Sequence, residues 1–247
     1  MPETRLTRVQ TPIHLRPTAR LAERVLLPGD PGRALAMAQA LLSDPRMFNH
    51  HRGLWGYTGE ACDGEPLTIQ ATGMGGPSAA IVLTELIALG VRRAIRTGTC
   101  GALGGDLALG DLVVARAALC RDGTSRSLGS GEQVRADAAL TEALLASAPG
   151  ARAGTVASVD LFYGSDDHGG GGAGANATDG AIAVEMEAAA LFAVGAASDV
   201  PVACVLAVSD TFDTTRARTR IDDHALLGAA ERMGAAAVAA MPAPAPT

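Results

Sequence analysis

Three times in its first hundred residues the chain leaves an apolar run through a glycine-rich turn. Arg24-Val-Leu-Leu-Pro28 runs into Gly29-Asp-Pro-Gly-Arg33, and strong helix formers follow over 34–42. Leu67 to Ala71 opens into Thr72-Gly-Met-Gly-Gly-Pro-Ser78, with Pro77 suited to the first turn of a helix that ends near Leu89. A third strand, led in by Gly90-Val-Arg-Arg-Ala-Ile-Arg96, ends at Thr97-Gly-Thr-Cys-Gly101. A strand that turns tightly into a helix aims backbone N–H groups at whatever lies above the helix N-terminus, which makes an anion site. Repeated, this unit predicts an α/β fold with ligands beyond the carboxyl ends of the strands. The first turn lacks G-K-[ST], so it is not a nucleotide P-loop, and read alone it is a plain Asp-Pro-Gly connection.

The pattern continues. Further strands are expected over Asp111–Ala115, Gly154–Asp160 and Pro201–Ser209, with helices over Ala136–Ser147 and Ile221–Met241. Gly56–Asp63 and Glu65–Ala71 read as a hairpin turned at Asp63-Gly64. Ser43–Thr58 reads as a surface turn, since His50-His51 has no third metal ligand at a suitable spacing. Arg121–Arg135 reads as a loop, and the glycine tract at 169–174 marks a mobile loop over 164–180. The expectation is one domain over residues 1–247, with flexible ends at 1–11 and 242–247. Its sheet would be twisted, mixed and largely parallel, with helices on both faces.

Composition narrows the function. Hydrophobic residues make up 48% of the chain and aromatics only 3%, so the core must be aliphatic. A net charge of -6 without a basic block argues against a nucleic-acid partner. Cys62, Cys100, Cys120 and Cys204 form no C-x-x-C pair and read as buried thiols in a reducing compartment. No signal peptide or membrane span is read, and a cytoplasmic protein is expected.

Several polar residues stand where this pattern asks for core. Glu185 and Glu187 interrupt the apolar run from Ala183 to Val194. As the first turn of a solvated helix they would favour the dipole; as a polar site in the core they would bind hydroxyl groups. If the stretch is helical they lie about 200° apart, and if extended they share a face. Arg33, Arg96 and Thr99 would converge at the strand ends to hold a dianion. Phe162 and Tyr163 offer either packing or a stacking face. Asp210 ends an apolar strand, as a helix cap or a general acid, and Arg216, Arg218 and Arg220 follow it.

Seven motifs in order complete the picture: Gly29-Asp-Pro-Gly-Arg33, His51-Arg-Gly53, Gly73-Met-Gly-Gly-Pro-Ser78, Arg96-Thr-Gly-Thr-Cys-Gly101, Asp160-Leu-Phe-Tyr163, Val184-Glu-Met-Glu-Ala188 and Val208-Ser-Asp210. Together they resemble the nucleoside phosphorylase family that includes hexameric bacterial purine nucleoside phosphorylases and uridine phosphorylases. The resemblance implies phosphate binding by Gly29, Arg33, Arg96 and Thr99, with Arg52 supplied by a neighbouring subunit. It implies ribose binding by Met186 and Glu187, with Glu185 a second contact, and His14 reaching the neighbour's ribose 5′ end. Phe162, Ser209 and Asp210 would meet the base, and Asp210, aided by Arg218 or another nearby arginine, would protonate the purine. Phosphate is then a co-substrate, no metal or organic cofactor is implied, and the assembly is a trimer of dimers. Asp210 and Asp160-Leu-Phe-Tyr163 resemble the purine branch. Pro12-Ile-His-Leu15, Gly73–Ser78 and Asp122-Gly-Thr-Ser125 resemble the uridine branch. A methylthioadenosine phosphorylase or a nucleoside hydrolase of the same fold are further alternatives.

Overall fold

A computed structural model of the chain describes residues 11–104, 106–163, 180–213 and 217–242. The glycine tract and Arg216 lie outside the described residues, as do most of the segments expected to be flexible. In chain order the elements are β1 (Arg24–Leu27), α1 (Pro31–Leu41), β2 (Leu42–Asn49), β3 (Gly56–Ala61), β4 (Pro66–Gln70), α2 (Gly76–Leu89) and β5 (Arg93–Ala102). Then follow β6 (Leu112–Arg121), α3 (Gly123–Ser127), β7 (Gln133–Arg135), α4 (Ala138–Ser147), β8 (Arg152–Val159), β9 (Ala181–Glu185), α5 (Ala188–Ser198), β10 (Val202–Phe212), β11 (Arg218–Arg220) and α6 (Asp223–Ala240).

The sheet is mixed, as expected, but its shape is not an open twisted sheet. β5 pairs with both β10 and β9, and β10–β6–β8–β9 closes the ring, so five strands form a barrel. Strands β1, β4, β3 and β2 extend from β5 as a wing. Six of the eleven pairings among described residues are antiparallel and five parallel, so the sheet is not largely parallel. Closure rests on long strands that bend. Pairing slips by one residue between Val208 and Asp210 on β10 and between Ala115 and Ala117 on β6, and such bulges sharpen twist and curl. A strand–helix alternation carries no sign of this, because closure depends on bulges rather than on periodicity.

Helices do cover both faces. α2 and α5 bury Val82, Leu83, Leu86, Leu191 and Val194 on one side. α1, α4 and α6 bury Met37, Leu144 and Met233 on the other. The core is aliphatic apart from a few rings such as Phe48 and Phe192.

Local chemistry fixes the ends of these elements. Asp30 caps α1 by accepting from Arg33 N–H at 2.7 Å, and Pro31 occupies its first turn. The Asp63-Gly64 hairpin joins β3 and β4 as expected, with Gly64 at φ 81°. β2 was expected as a surface turn. It is an edge strand whose middle residues, Pro45 among them, are exposed, and a polar, proline-bearing edge looks like a loop in sequence. Two other expectations change. Arg121–Arg135 contains α3 and β7 rather than loop alone. Cys62 is exposed, in the hairpin turn, while the other three cysteines are buried. Arg24, 3% exposed, is a further buried ion: its guanidinium donates to both Asp63 oxygens at 2.6 Å and to Met241 O at 2.8 Å, tying the wing to the end of α6.

Candidate active site

Arg96 sits on β5 inside the closed part of the sheet and is 3% exposed. Nε donates to Glu185 Oε2 at 3.1 Å and Nη2 donates to Glu187 Oε2. Nη1 is buried with no hydrogen-bond partner among the described residues. Burial by itself would lower this arginine's pKa; Glu187 first and then Glu185 outweigh it and raise it. Gly98 is what lets the guanidinium lie down. A Cβ at that position would stand 2.7 Å from Arg96 Cζ and 2.9 Å from Leu206 Cδ2.

The structure separates the two glutamates. Glu185 ends β9 in extended backbone, and Glu187 is the N-cap residue of α5, so both can face the same arginine. Glu185 is closed off: its side chain is 0% exposed. Ser158 Oγ donates to it, the backbone N–H groups of Glu187 and Ala188 donate at 2.9 Å, and Arg96 completes the set. Burial pushes its pKa up, against the pull of Arg96. With both oxygens taken there is no open edge for a sugar hydroxyl, so the ribose contact expected of Glu185 gives way to a holding role. Glu187 binds Arg96 with one oxygen and accepts from Gly75 N–H at 2.5 Å with the other. Gly75 has φ 87°, which suits glycine, and Gly76 leaves only 3.1 Å between a built Cβ and Thr124. Met186, between the two glutamates, is half-buried.

Arg33 approaches from the start of α1. Its Nη1 is also buried without a partner among the described residues. Burial first, and then Arg96, push its pKa down, while Asp30 and Glu187 pull it up. Gly29 lies against it, since a Cβ there would be 3.7 Å from Arg33 Nη2 and 3.3 Å from Gly73 O. Two buried guanidinium donors, close enough to repel, want an anion. Thr99, three residues beyond Arg96, is half-buried opposite Ala207, and its hydroxyl has no hydrogen bond among the described residues.

Asp210 lies on β10, which continues to Phe212 and pairs with β11. It is 5% exposed and accepts from Arg218 Nε at 2.6 Å. Arg220 Nη1 lies 3.1 Å and 3.3 Å from its two oxygens, and Ser209 Oγ is 2.6 Å from Oδ2. Arg218 also lies over the Phe162 ring, 4.6 Å from its centroid, and Phe162, 41% exposed, meets Tyr163 edge-on at 4.9 Å. Arg218 thus joins the Asp210 carboxylate and the aromatic face into one unit. Of the arginines that follow Asp210, both Arg218 and Arg220 reach it.

His14 and Arg52 form a separate group. Together with Leu54, Ser78, Ile81 and Val82 they line a cavity of about 390 Å³. Arg96, Asp30, Glu187 and Arg220 are the charges that act on Arg33 most. Arg52 is exposed and held at φ 58°, an uncommon backbone for a residue with a side chain. Glu85, buried in the middle of α2, fixes His14. It accepts from the N–H groups of Ile13, His14 and Leu15 at 2.7–3.0 Å and meets His14 Nδ1 at 2.7 Å. His51 Nδ1 meets His14 O at 3.0 Å, so His51 belongs to this anchor.

Sequence reasoning missed Ser158, Glu85 and Gly98. Glu85 had a visible signal, a lone carboxylate in an apolar helix. Ser158 had none beyond residue type, and Gly98 stood in the Arg96–Gly101 motif without a role assigned to it.

Buried, unpartnered arginine donors and an arginine-clamped carboxylate whose arginine lies over an aromatic ring make this a candidate anion-binding site. The chain belongs to the phosphorylase superfamily, whose family model matches residues 23–241. It is similar to a protein named purine nucleoside phosphorylase DeoD-type from Clostridium novyi (strain NT), with 36% identity over 201 residues, covering 78% of this chain and 84% of that one. Proteins of the same name from Clostridium beijerinckii and Geobacillus kaustophilus are 38% and 36% identical, covering 85% and 83% of their lengths and 80% and 78% of this chain.

Proposed function

We propose that the protein cleaves the N-glycosidic bond of purine ribonucleosides or deoxyribonucleosides with inorganic phosphate, giving the free base and the pentose 1-phosphate. The observation that carries this reading is the pair of buried, unpartnered Nη1 donors on Arg33 and Arg96 in the same site as the Asp210 clamp. Purine nucleoside phosphorylase relatives of nearly full length support it.

Phosphate is held by Arg33, Arg96, Gly29 and Thr99, with Arg52 from a neighbouring subunit. Glu187 and Met186 take the ribose, and the neighbour's His14 meets its 5′ end. The base lies on Phe162 beside Ser209 and Asp210. A phosphate oxygen attacks C1′, the C1′–N9 bond breaks, and its electron pair moves into the purine. Protonated Asp210 gives its proton to the ring nitrogen at position 7, and such general acid help is worth roughly 10²–10⁴-fold. Arg218 then stabilises the carboxylate left behind. Holding the nucleophile in line replaces a bimolecular encounter. The charge of phosphate is met by guanidinium groups, so the reading requires no metal or organic cofactor. The reading includes a homohexamer in the cytoplasm. Among the described residues no helix is long and apolar enough to cross a membrane.

Residues that resembled the uridine branch have scaffold contacts. Asp122 caps α3 and accepts from Ser125 N–H at 2.7 Å, Thr124 packs on Gly76, and residues 13–15 hang on Glu85. The test is cleavage of inosine, adenosine, guanosine and uridine with and without phosphate. Phosphate-dependent release of purine is expected, and equal release without phosphate would overturn the reading.

A further inference from the structure

β11 brings two arginines to one carboxylate, and Asp210 does not need both. Arg218 Nε holds Oδ1 at 2.6 Å and Ser209 Oγ lies 2.6 Å from Oδ2, so each oxygen has a close donor without Arg220. Arg220 Nη1 hangs between the two oxygens at 3.1 Å and 3.3 Å, the longer contacts of the set. The arginines also differ in freedom. The Arg218 side chain is 21% exposed and lies over Phe162; that of Arg220 is 57% exposed and has no aromatic contact among the described residues.

Charge is short on the other side. Arg96 is shared by Glu185 and Glu187, so that group of three has no positive charge to spare. Arg33 is the other cation of this group, half-buried with its Nη1 enclosed, and Asp30 and Glu187 lie near it. Arg33, Arg96 and a neighbour's Arg52 bring three positive charges against Glu185, Glu187 and the two charges of the dianion, so a further cation would still be favoured there. Arg220 is the more exposed of the two cations on Asp210. It stands on β11 opposite Asp210, and β10 joins β11 to β5, the strand that carries Arg96 and Thr99. It also faces Arg33 closely enough for the two charges to repel.

We propose that Arg220 is a further phosphate ligand, resting on Asp210 in the phosphate-free protein and turning to the dianion when it enters beside Arg33 and Arg96. Asp210 then keeps Arg218 and Ser209. The inference rests on the phosphorolytic reading above.

The experiment is calorimetric titration of inorganic phosphate into the intact oligomer without nucleoside, for wild type, Arg220→Gln, Arg220→Met, Arg220→Lys and Arg218→Gln. Loss of one charge-assisted contact should weaken phosphate about tenfold in Arg220→Gln and Arg220→Met, with Arg220→Lys recovering most of it. Arg218→Gln should stay within about twofold of wild type. In turnover, Arg220→Gln should raise the phosphate KM by the same factor and move the nucleoside KM little. Wild-type phosphate affinity in both uncharged variants would overturn the proposal, as would equal weakening by Arg218→Gln. Failure of wild type to bind phosphate at all would instead sink the phosphorolytic reading. Matching thermal unfolding midpoints show that the variants are folded.

Discussion

Arg96 donates from Nε to Glu185 at 3.1 Å, and that contact is the floor of the proposed phosphate site. Glu185 is fully enclosed and also takes the first N–H groups of α5, so it orients the arginine and starts the helix together. Its partner Glu187 is buried too but keeps 7% of its side chain exposed, with Gly75 on its other oxygen. The two carboxylates of one short motif therefore have different jobs, one structural and one facing the site.

Removing Glu185 should cost more than a hydrogen bond. Glu185→Ala leaves Arg96 with one carboxylate fewer in a buried place and takes an acceptor from two backbone N–H groups. Breaking a buried pair by one partner costs about 3–5 kcal/mol. Denaturant unfolding should report that loss, and the phosphate KM should rise in whatever folds. An unchanged midpoint would contradict the holding role.

Asp210→Asn should separate the acid from the anion site. The amide keeps the shape but has no carboxyl proton to give, so kcat on a purine nucleoside should fall by about 10²–10⁴-fold. The phosphate dissociation constant should change much less than kcat. Steady-state rates and phosphate titration check both halves.

Gly98→Ala tests whether the bed under Arg96 matters. The added methyl would lie 2.7 Å from the guanidinium carbon, and Arg96 is pinned by two carboxylates and cannot swing away cheaply. Overpacking of this kind costs about 1–3 kcal/mol, and displacement of Arg96 should raise the phosphate KM. Melting temperature and KM are the readouts.

Much of this was legible in the sequence because glycine turns after apolar strands have few structural uses. The Gly29–Arg33 turn, the hairpin at Asp63-Gly64 and the helix from Gly76 follow from local residue chemistry. The motif order pointed to Arg33, Arg96, Glu187 and Asp210, three of which are buried although all four are charged. Barrel closure was not legible, because it depends on bulges at Val208/Asp210 and Ala115/Ala117 that alternation does not encode. Nor was the split between Glu185 and Glu187. It depends on β9 ending and α5 beginning between them, and two residues of apolar context look the same either way. β2 was hidden because an exposed edge strand has the composition of a loop.

The last prediction concerns Glu85 and the segment that presents His14. Burial would raise this carboxyl's pKa, but the N–H groups of Ile13, His14 and Leu15 and the His14 ring together hold it below the usual glutamate value. A folded pKa below the unfolded one means that the folded state favours the ionised form. The stabilisation is therefore fully present above the ordinary glutamate pKa of about 4.3 and drains away as pH falls through the lowered value. Hydrogen bonds to a charged group are worth about 1.5–3 kcal/mol, so Glu85→Gln should melt measurably below wild type at neutral pH. The gap between the two melting temperatures should then shrink as pH drops below about 4, because only wild type loses a charge there. A gap that stayed constant from neutral to acid pH would show that the anchor does not depend on ionised Glu85. Loss of the anchor should also free residues 11–15, raising their amide exchange in Glu85→Gln relative to wild type at the same pH.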